Sequence, residues 1–420
     1  MTRGKLPLGI QNFKELRKGG YLYADKTDMV WQIANGDKYN FLSRPRRFGK
    51  SLLVSTLQCY FEGKKELFEG LKIMELEKDW IKRPVIHFSM NLGGSDAGSL
   101  YHYLDDTLTK YEEIYGKRAT EATLSNRFTG IIERAYQQSG EQVAVLVDEY
   151  DAPLQHSYLT DRHEKCRNLY RDFFTGLKDY GYCIKCVFLT GITKFTQISL
   201  FSVLNTLSNI SFYNCYATIC GLTKEEILEN LKDEIQVLAV QKKWDIDQTM
   251  HELKDMYDGY HFSESLQGVY NPFSVICALK ERRLRPYWIA SGATEMLPKI
   301  LTNFEKDVET LDGSLIDMDY IETADISKDN PKLFLYQSGY LTIKGVIGET
   351  YRLGFPNREV KKALLELVVP NMLNANKEET EIASRHYADA YAASKKKLIS
   401  LALVFDKENR GLIDWQEADK

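Results

Sequence analysis

The chain has 420 residues, of which 44% are hydrophobic and 27% charged, with a formal net charge of −4. That is too long for one compact core and ordinary for globular composition, so two or three domains are expected. The charge balance excludes a global attraction to nucleic acid or anionic membrane, leaving only local basic patches.

Residues 39–43 (Tyr-Asn-Phe-Leu-Ser) read as a short strand. After the turn from Arg44 to Gly49, apolar residues at 53, 57, 60 and 61 have helical spacing. Val85–Phe88 is a second strand, and 99–115 and 127–138 are predicted helices. Val143–Val147 is a continuous apolar run, the pattern of a strand buried on both faces of a parallel sheet. A helix follows near 162–178, then a strand over Cys183–Thr190 and a fifth over Cys215–Cys220. Strands alternating with helices imply an α/β domain with a parallel sheet flanked by helices. Beyond residue 220 the pattern changes: Thr223 and Glu226 have capping-box spacing ahead of a periodic run to about Val240. From there to about 350 the chain reads as helical, with one late strand-like piece at Tyr340–Ile343. A second, mostly helical domain is expected to begin near 221.

No apolar run reaches the roughly 18 to 20 residues that cross a bilayer. Met1–Leu8 has no apolar stretch with a small-residue cleavage site. Seven thinly spread cysteines do not form a disulfide framework. A cytoplasmic, membrane-free protein is expected.

The strongest local signal is strand, loop, Gly49-Lys50-Ser51, helix. Such a loop binds phosphate because successive backbone N–H groups and the positive end of the following helix surround the anionic oxygens. Gly49 permits close backbone approach, Lys50 reaches the β- and γ-phosphates, and the Ser51 hydroxyl ligates magnesium. The loop residues Arg46, Arg47, Phe48, Gly49, Lys50, Ser51 and Leu52 are the candidate nucleotide binders. The full pattern needs a glycine five residues before Gly49, where this chain has Arg44. The apolar run ending in Asp148-Glu149 supplies the second half: Asp148 to hold magnesium and Glu149 to activate water. Thr190 and Thr193, at the end of the next strand, are candidates to meet the γ-phosphate or the water; equally, their hydroxyls could satisfy backbone groups of a turn.

The runs Leu6–Ile10, Tyr23–Thr27, Arg44–Leu52, Asp148–Asp151 and Leu189–Gly191 together resemble the bacterial AAA-ATPase-like family. So do Tyr257–Tyr260, Tyr270–Ser274, Gln337–Leu341 and Phe355–Val360. Arg is usual in that family where the standard glycine sits, so Arg44 is in pattern. The resemblance implies an additional-strand P-loop NTPase fold followed by a winged-helix-like helical region, with ATP and Mg2+ as cofactors. It divides the chain into a P-loop domain over 1–220, a helical domain over 221–355 and a C-terminal piece over 356–420. Members often carry a C-terminal PD-(D/E)XK nuclease-superfamily domain; residues 387–414 resemble its last stretch, without the acidic strand residue and Glu-x-Lys before it. A nuclease remnant without its metal-holding carboxylates is therefore expected, and no nucleic-acid cleavage. Magnesium-dependent ATP hydrolysis driving a conformational switch is the expected activity. The alternative is a nucleotide-gated scaffold or DNA-associated module with little turnover. Nucleic acid, a partner protein and further copies of the chain are the partners left open.

Cys183 and Cys186 form a C-x2-C, but lie in a strand where side chains three apart face opposite ways, so they read as buried thiols rather than zinc ligands. His156 and His163 lack a ligating neighbour at metal spacing and read as ordinary histidines.

Overall fold

The structure, a computed structural model, describes residues 4–195, 207–288, 296–301, 308–324, 326, 330–364, 401–405 and 412–417. The chain divides into two compact units, Met1–Ala363 and Leu364–Lys420.

Two short helices, α1 (Phe13–Lys18) and α2 (Thr27–Asn35), precede the first strand, β1 (Tyr39–Ser43). Gly49 then starts α3 (Lys50–Phe61), which lays Leu53, Val54 and Leu57 into the core. A short α4 (Ile73–Leu76) leads to β2 (Val85–Ser89). Next come α5 (Ala97–Tyr115), capped by Asp96, and α6 (Leu124–Ser139), capped by Thr123. After β3 (Val143–Asp148) the chain makes α7 (Ala152–Ser157), α8 (His163–Phe174) and β4 (Ile184–Gly191). The fifth strand, β5, is only Ser208–Asn209.

All five strands are parallel, in the order β2-β3-β4-β1-β5. β4 is the additional strand, inserted between the strand that feeds the phosphate loop and the strand that ends in Asp148. β3 is buried at every position, as its unbroken apolar run requires. Phe88, Phe128 and Phe173 tie the sheet to α6 and α8, with ring centroids 4.8–5.5 Å apart.

The run Cys215–Cys220 is not the fifth strand. Asn214–Tyr216 is a 3-10 turn, the Tyr216 carbonyl accepts from Arg44, and the sheet edge beside Asn40 and Phe41 is taken by Ser208 and Asn209. A short apolar run has no period by which to tell a strand from a buried turn.

The region beyond 220 opens with the expected capping box: Thr223 Oγ1 accepts from Glu226 N, and a Glu226 carboxylate oxygen accepts from Thr223 N. Glu226 also pairs with buried Lys26 at 2.5 Å, joining α9 (Lys224–Asn230) to the N-terminal segment. Helices α10 (Lys232–Lys242), α11 (Ile246–Tyr257) and α12 (Pro272–Glu281) share a core with α9 built on Ile227, Leu238, Leu253 and Val275. Further helices are α13 (Met296–Leu301), α14 (Met318–Thr323) and α15 (Pro331–Ser338). The single late strand is instead a three-stranded antiparallel sheet of β6 (Leu315–Asp317), β7 (Thr342–Ile347) and β8 (Thr350–Gly354).

The motifs at 257–260, 270–274 and 355–360 converge within this region. A Cβ at Gly259, whose φ is +88°, would lie 2.2 Å from the Pro356 carbonyl oxygen. Asn357 Nδ2 donates to Asp258 O at 2.7 Å. Fully buried Glu359 accepts from Tyr287 N, Trp288 N and Ser274 Oγ.

Of residues 387–414, where the end of a nuclease domain is expected, only part of a hairpin is within the described residues: β9 (Leu401–Phe405) pairs antiparallel with β10 (Leu412–Glu417). The remainder lies outside them. Among the described residues no helix is long and apolar enough to cross a membrane.

Candidate functional site

The phosphate loop leaves β1 and must reverse within a few residues. Its left-handed positions are Arg47 (φ +68°) and Gly49 (φ +97°), not position 44. That is why an arginine is tolerated at the place where the standard motif has glycine. Arg44 N extends the β1–β4 ladder by donating to Gly191 O at 3.1 Å. The Arg44 side chain turns inward, 1% exposed, and donates to the carbonyls of Ser43 (2.8 Å), Ser211 (2.8 Å) and Tyr216 (2.9 Å). Its guanidinium carbon lies 4.3 Å from the Phe262 ring centre. Arg44 is thus a structural tie between the loop and the segments behind it, and does not line the cleft.

That cleft, about 520 Å³, opens over the loop. Arg46, Arg47, Gly49, Lys50, Ser51 and Leu52 form one side, and Asp148 and Glu149 line the same space. The juxtaposition follows from the sheet order: β1 and β3 both pair with β4 in parallel, so their C-terminal ends open on one edge. Phe48 departs from the set: its ring packs edge-on against Tyr260 and Phe262, away from the cleft.

Lys50 is buried and its Nζ donates to Arg44 O (2.9 Å) and Pro45 O (3.0 Å). Burial lowers its pKa, opposed by the nearby carboxylates of Glu149, Asp148 and Asp151. Glu149 is shifted the other way: burial, then the neighbouring Asp148 charge, raises its carboxyl above the ordinary range, while Lys50 opposes the rise. Its backbone sits at φ +51°, a left-handed conformation costing on the order of 1 kcal/mol for a side-chain-bearing residue. Asp148 is 5% exposed, and its Oδ1 is a buried acceptor with no hydrogen-bond partner among the described residues. An unpaired buried carboxylate oxygen is costly, and a cation is the partner such an atom suits. Asp148 and the Ser51 hydroxyl are hard oxygen donors of the kind magnesium prefers.

The two threonines point elsewhere. Thr190 is fully buried and its hydroxyl donates to Leu42 O at 2.8 Å inside the sheet. The Thr193 hydroxyl, equally buried, donates to Asp151 Oδ2 at 2.6 Å. Neither lines the cleft: Thr190 satisfies a backbone carbonyl, the second role open to it from sequence, whereas the Thr193 hydroxyl serves the Asp151 carboxylate, a role the sequence did not offer. The polar groups that do line the far wall are Ser89 at the end of β2, Asn91 just after it, and Gln155 and His156 on α7. His156 Nδ1 lies 3.4 Å from Gly94 O, an interaction that no local spacing announces. Pro7–Gln11 and, from α12, Pro272, Phe273 and Ile276 close the cleft with apolar surface. The Leu6–Ile10 and Tyr270–Ser274 motifs pointed to these segments; Ile276 carried no signal of its own.

The helical region grips the loop from behind. Trp288 Nε1 donates to Arg46 O at 3.2 Å, and a Cβ at Gly339 would lie 2.7 Å from Pro45 Cβ. Cys186 lies in β4 and Cys183 in the turn before it, both buried; burial pushes the Cys186 thiol up to about 12.

A family model described as Predicted AAA-ATPase matches residues 7–201. An "Uncharacterized protein in vnfD 5'region" from Azotobacter chroococcum mcd 1 is 35% identical over 377 residues, 88% of this chain and 70% of that one. Among solved structures, the Aeropyrum pernix ORC1 protein in complex with DNA matches 83% of this chain and 92% of its own, at 12% identity. Its TM-score is 0.27, too low to bear on either fold or ligand. With the matched family segment ending ten residues past Gly191, the phosphate loop and the Asp148-Glu149 strand end both fall inside it, and the relative carries the likeness through most of the rest: this chain belongs to the predicted AAA-ATPase family of ATP-binding P-loop proteins.

Proposed function

We propose that the cleft binds ATP with magnesium and hydrolyses it, and that the nucleotide state is passed to the helical region. The observation that carries this reading is the buried Asp148 Oδ1, without a hydrogen-bond partner among the described residues, in a cleft that Glu149 shares with Lys50 and Ser51. Lys50 and the loop amides neutralise the β- and γ-phosphates; Arg46 and Arg47 add positive charge at the same wall. Ser51 and Asp148 would hold the magnesium ion, which when bound supplies charge neutralisation at the phosphates. Glu149, whose raised pKa makes it a better proton acceptor than an exposed carboxylate, orients and deprotonates the attacking water. The Trp288–Arg46 and Gly339–Pro45 contacts offer the helical region a direct hold on the loop, as a two-state switch requires.

The working division is a P-loop domain over 1–220, a winged-helix-like helical domain from 221 that takes in the 355–360 motif packed on it, and beyond it a C-terminal nuclease-like remnant that does not cut nucleic acid. The second reading, a nucleotide-gated scaffold with little turnover, draws on the two bonds that hold Lys50 to its own loop. Phosphate release by the wild type, Lys50→Ala and Glu149→Gln separates the two. Hydrolysis predicts at least a hundredfold loss, roughly, in each variant, with ATP binding kept in Glu149→Gln. One shared background rate would remove the enzyme and leave the scaffold, provided ATP still binds.

A further inference from the structure

The chain segments that leave β3 and β4 are joined side by side. Asp151, 1% exposed, accepts at Oδ2 from the amides of Ile192 (3.0 Å) and Thr193 (2.7 Å), from the Thr193 hydroxyl (2.6 Å) and from Gln155 Nε2 (2.5 Å). Fully buried Tyr150 works on the same segment: its amide donates to Thr190 O (3.0 Å), its hydroxyl donates to Thr193 O (2.8 Å), and Phe195 N donates to that hydroxyl (2.9 Å). The Tyr150 carbonyl in turn accepts from the Tyr170 hydroxyl at 2.6 Å. A Cβ at Gly191 would lie 2.3 Å from Asp151 Oδ1 and 2.8 Å from Tyr150 Cδ1, so glycine is required for the two exits to close on each other.

Immediately before this seam stands Glu149 at φ +51°. A side-chain-bearing residue keeps a left-handed conformation only where its surroundings over-determine it. The residues that do so here are the two that follow it. Asp151 and the Ile192 it holds both border the cleft that Glu149 faces, with Asp151 Oδ2 turned to the β4 exit and its side chain 1% exposed.

We infer that Asp151 is a positioning residue for Glu149: by pinning the β4 exit to the β3 turn, it holds Glu149 in its left-handed conformation and directs that carboxylate into the cleft. The inference rests on the reading of Glu149 as the group that activates water. A negative charge is what the arrangement uses, because one oxygen accepts from several donors and charge strengthens each bond. Asp151→Asn keeps an acceptor oxygen but loses the charge; Asp151→Ala removes the tie altogether and risks the fold.

The test uses the full chain with ATP and magnesium. Turnover and ATP affinity are measured for the wild type, Asp151→Asn, Glu149→Gln and the double variant, and amide exchange is followed at Ile192 and Thr193. Asp151→Asn is expected to lower kcat about tenfold while ATP Kd stays within about threefold, because orientation and not binding is lost. The double variant should be no slower than Glu149→Gln, since a residue acting through Glu149 has nothing left to position. Exchange at Ile192 and Thr193 should quicken by about tenfold or more while the amides of Leu146 and Phe188 stay protected. Multiplying losses in the double variant, or a Kd that weakens in step with kcat, would show a merely structural role and overturn the inference. Unchanged exchange at Ile192 and Thr193 overturns it even in a protein without turnover. Wild-type phosphate release no faster than that of Lys50→Ala instead removes the hydrolysis reading, and with it any part for Asp151 in orienting Glu149.

Discussion

Replacing Arg44 with glycine restores the standard phosphate-loop spacing, and on sequence grounds alone should improve the loop. The structure argues the reverse. The guanidinium donates to three carbonyls at 2.8–2.9 Å, two of them on the segment 211–216, and lies over the Phe262 ring. A hydrogen bond to a charged group contributes about 1.5–3 kcal/mol and a desolvated cation–π contact about 2 kcal/mol. Against these stands the cost, several kcal/mol, of burying a charge that has no carboxylate partner among the described residues, which also explains why burial lowers the Arg44 pKa. Removing the side chain relieves that cost but strands the carbonyls of Ser211 and Tyr216 and leaves a cavity, so a net loss of about 3 kcal/mol is expected. Glycine adds roughly 0.5–1 kcal/mol of backbone entropy at a position whose φ is not positive. Urea unfolding of the wild type, Arg44→Gly and Arg44→Met measures this: both variants should lose stability, with glycine the worse by the entropy difference. ATP titration of the folded proteins should show that Arg44→Met binds within about threefold of the wild type, a shift under 1 kcal/mol, since Arg44 does not line the cleft. A stable Arg44→Gly that binds ATP more tightly would refute the reasoning, because the arginine would then be a replaced phosphate-loop glycine and not a tie.

Glu359 should make stability fall with rising pH: burial raises its pKa from 4.5 to about 6, so the folded state keeps a proton that the unfolded chain has released. The penalty is absent below 4.5, grows between 4.5 and about 6 and is complete above, amounting to about 2 kcal/mol at 1.36 kcal/mol per pH unit. The difference in unfolding free energy between the wild type and Glu359→Gln should slope across that window, and a flat difference would show that Glu359 ionises freely. Gly339→Ala places a methyl group 2.7 Å from Pro45 Cβ at a φ of +89°, which should cost about 1–3 kcal/mol. Because Lys50 Nζ donates to Pro45 O, the same change should also alter ATP affinity; a wild-type Kd in a destabilised variant would show that the helical region does not hold the loop.

Much of the sheet was legible because buried parallel strands carry their signal in themselves. Val143–Val147 is a continuous apolar stretch and the run to Thr190 is apolar but for Lys185 and its terminal threonine, and the structure places strands over 143–148 and 184–191. The Thr223–Glu226 capping box was equally local. Ser208–Asn209 is not legible because two polar residues at a sheet edge have no pattern to read, and Cys215–Cys220 resembles a strand because a short apolar run has no period. The antiparallel sheet was reduced to one strand because Val346 and Ile347 are exposed and the alternation is broken by Gly345 and Gly348. Within the candidate site, the groups brought into one cleft at 46–52 and 148–149 were visible from spacing, with Phe48 the exception. The orientation of Thr190 and Thr193, the part of His156 in the far wall and the inward turn of Arg44 were not. Each depends on an atom contributed by a distant stretch of chain: Leu42 O, Gly94 O, or the carbonyls of residues 211 and 216.

A strand that bears none of the candidate site's charged side chains sets the width of the cleft. Since β4 is hydrogen-bonded on one edge to β1 and on the other to β3, the lysine and the acidic pair are carried two strand spacings apart, about 10 Å at about 4.8 Å per step. Direct neighbours would let ammonium and carboxylate collapse into a salt bridge; a gap of that width instead leaves room for a phosphate chain and a cation. Alterations that bulge or shorten β4 should therefore disable the protein as surely as loss of the charged groups themselves, although such positions look from composition like nothing more than core.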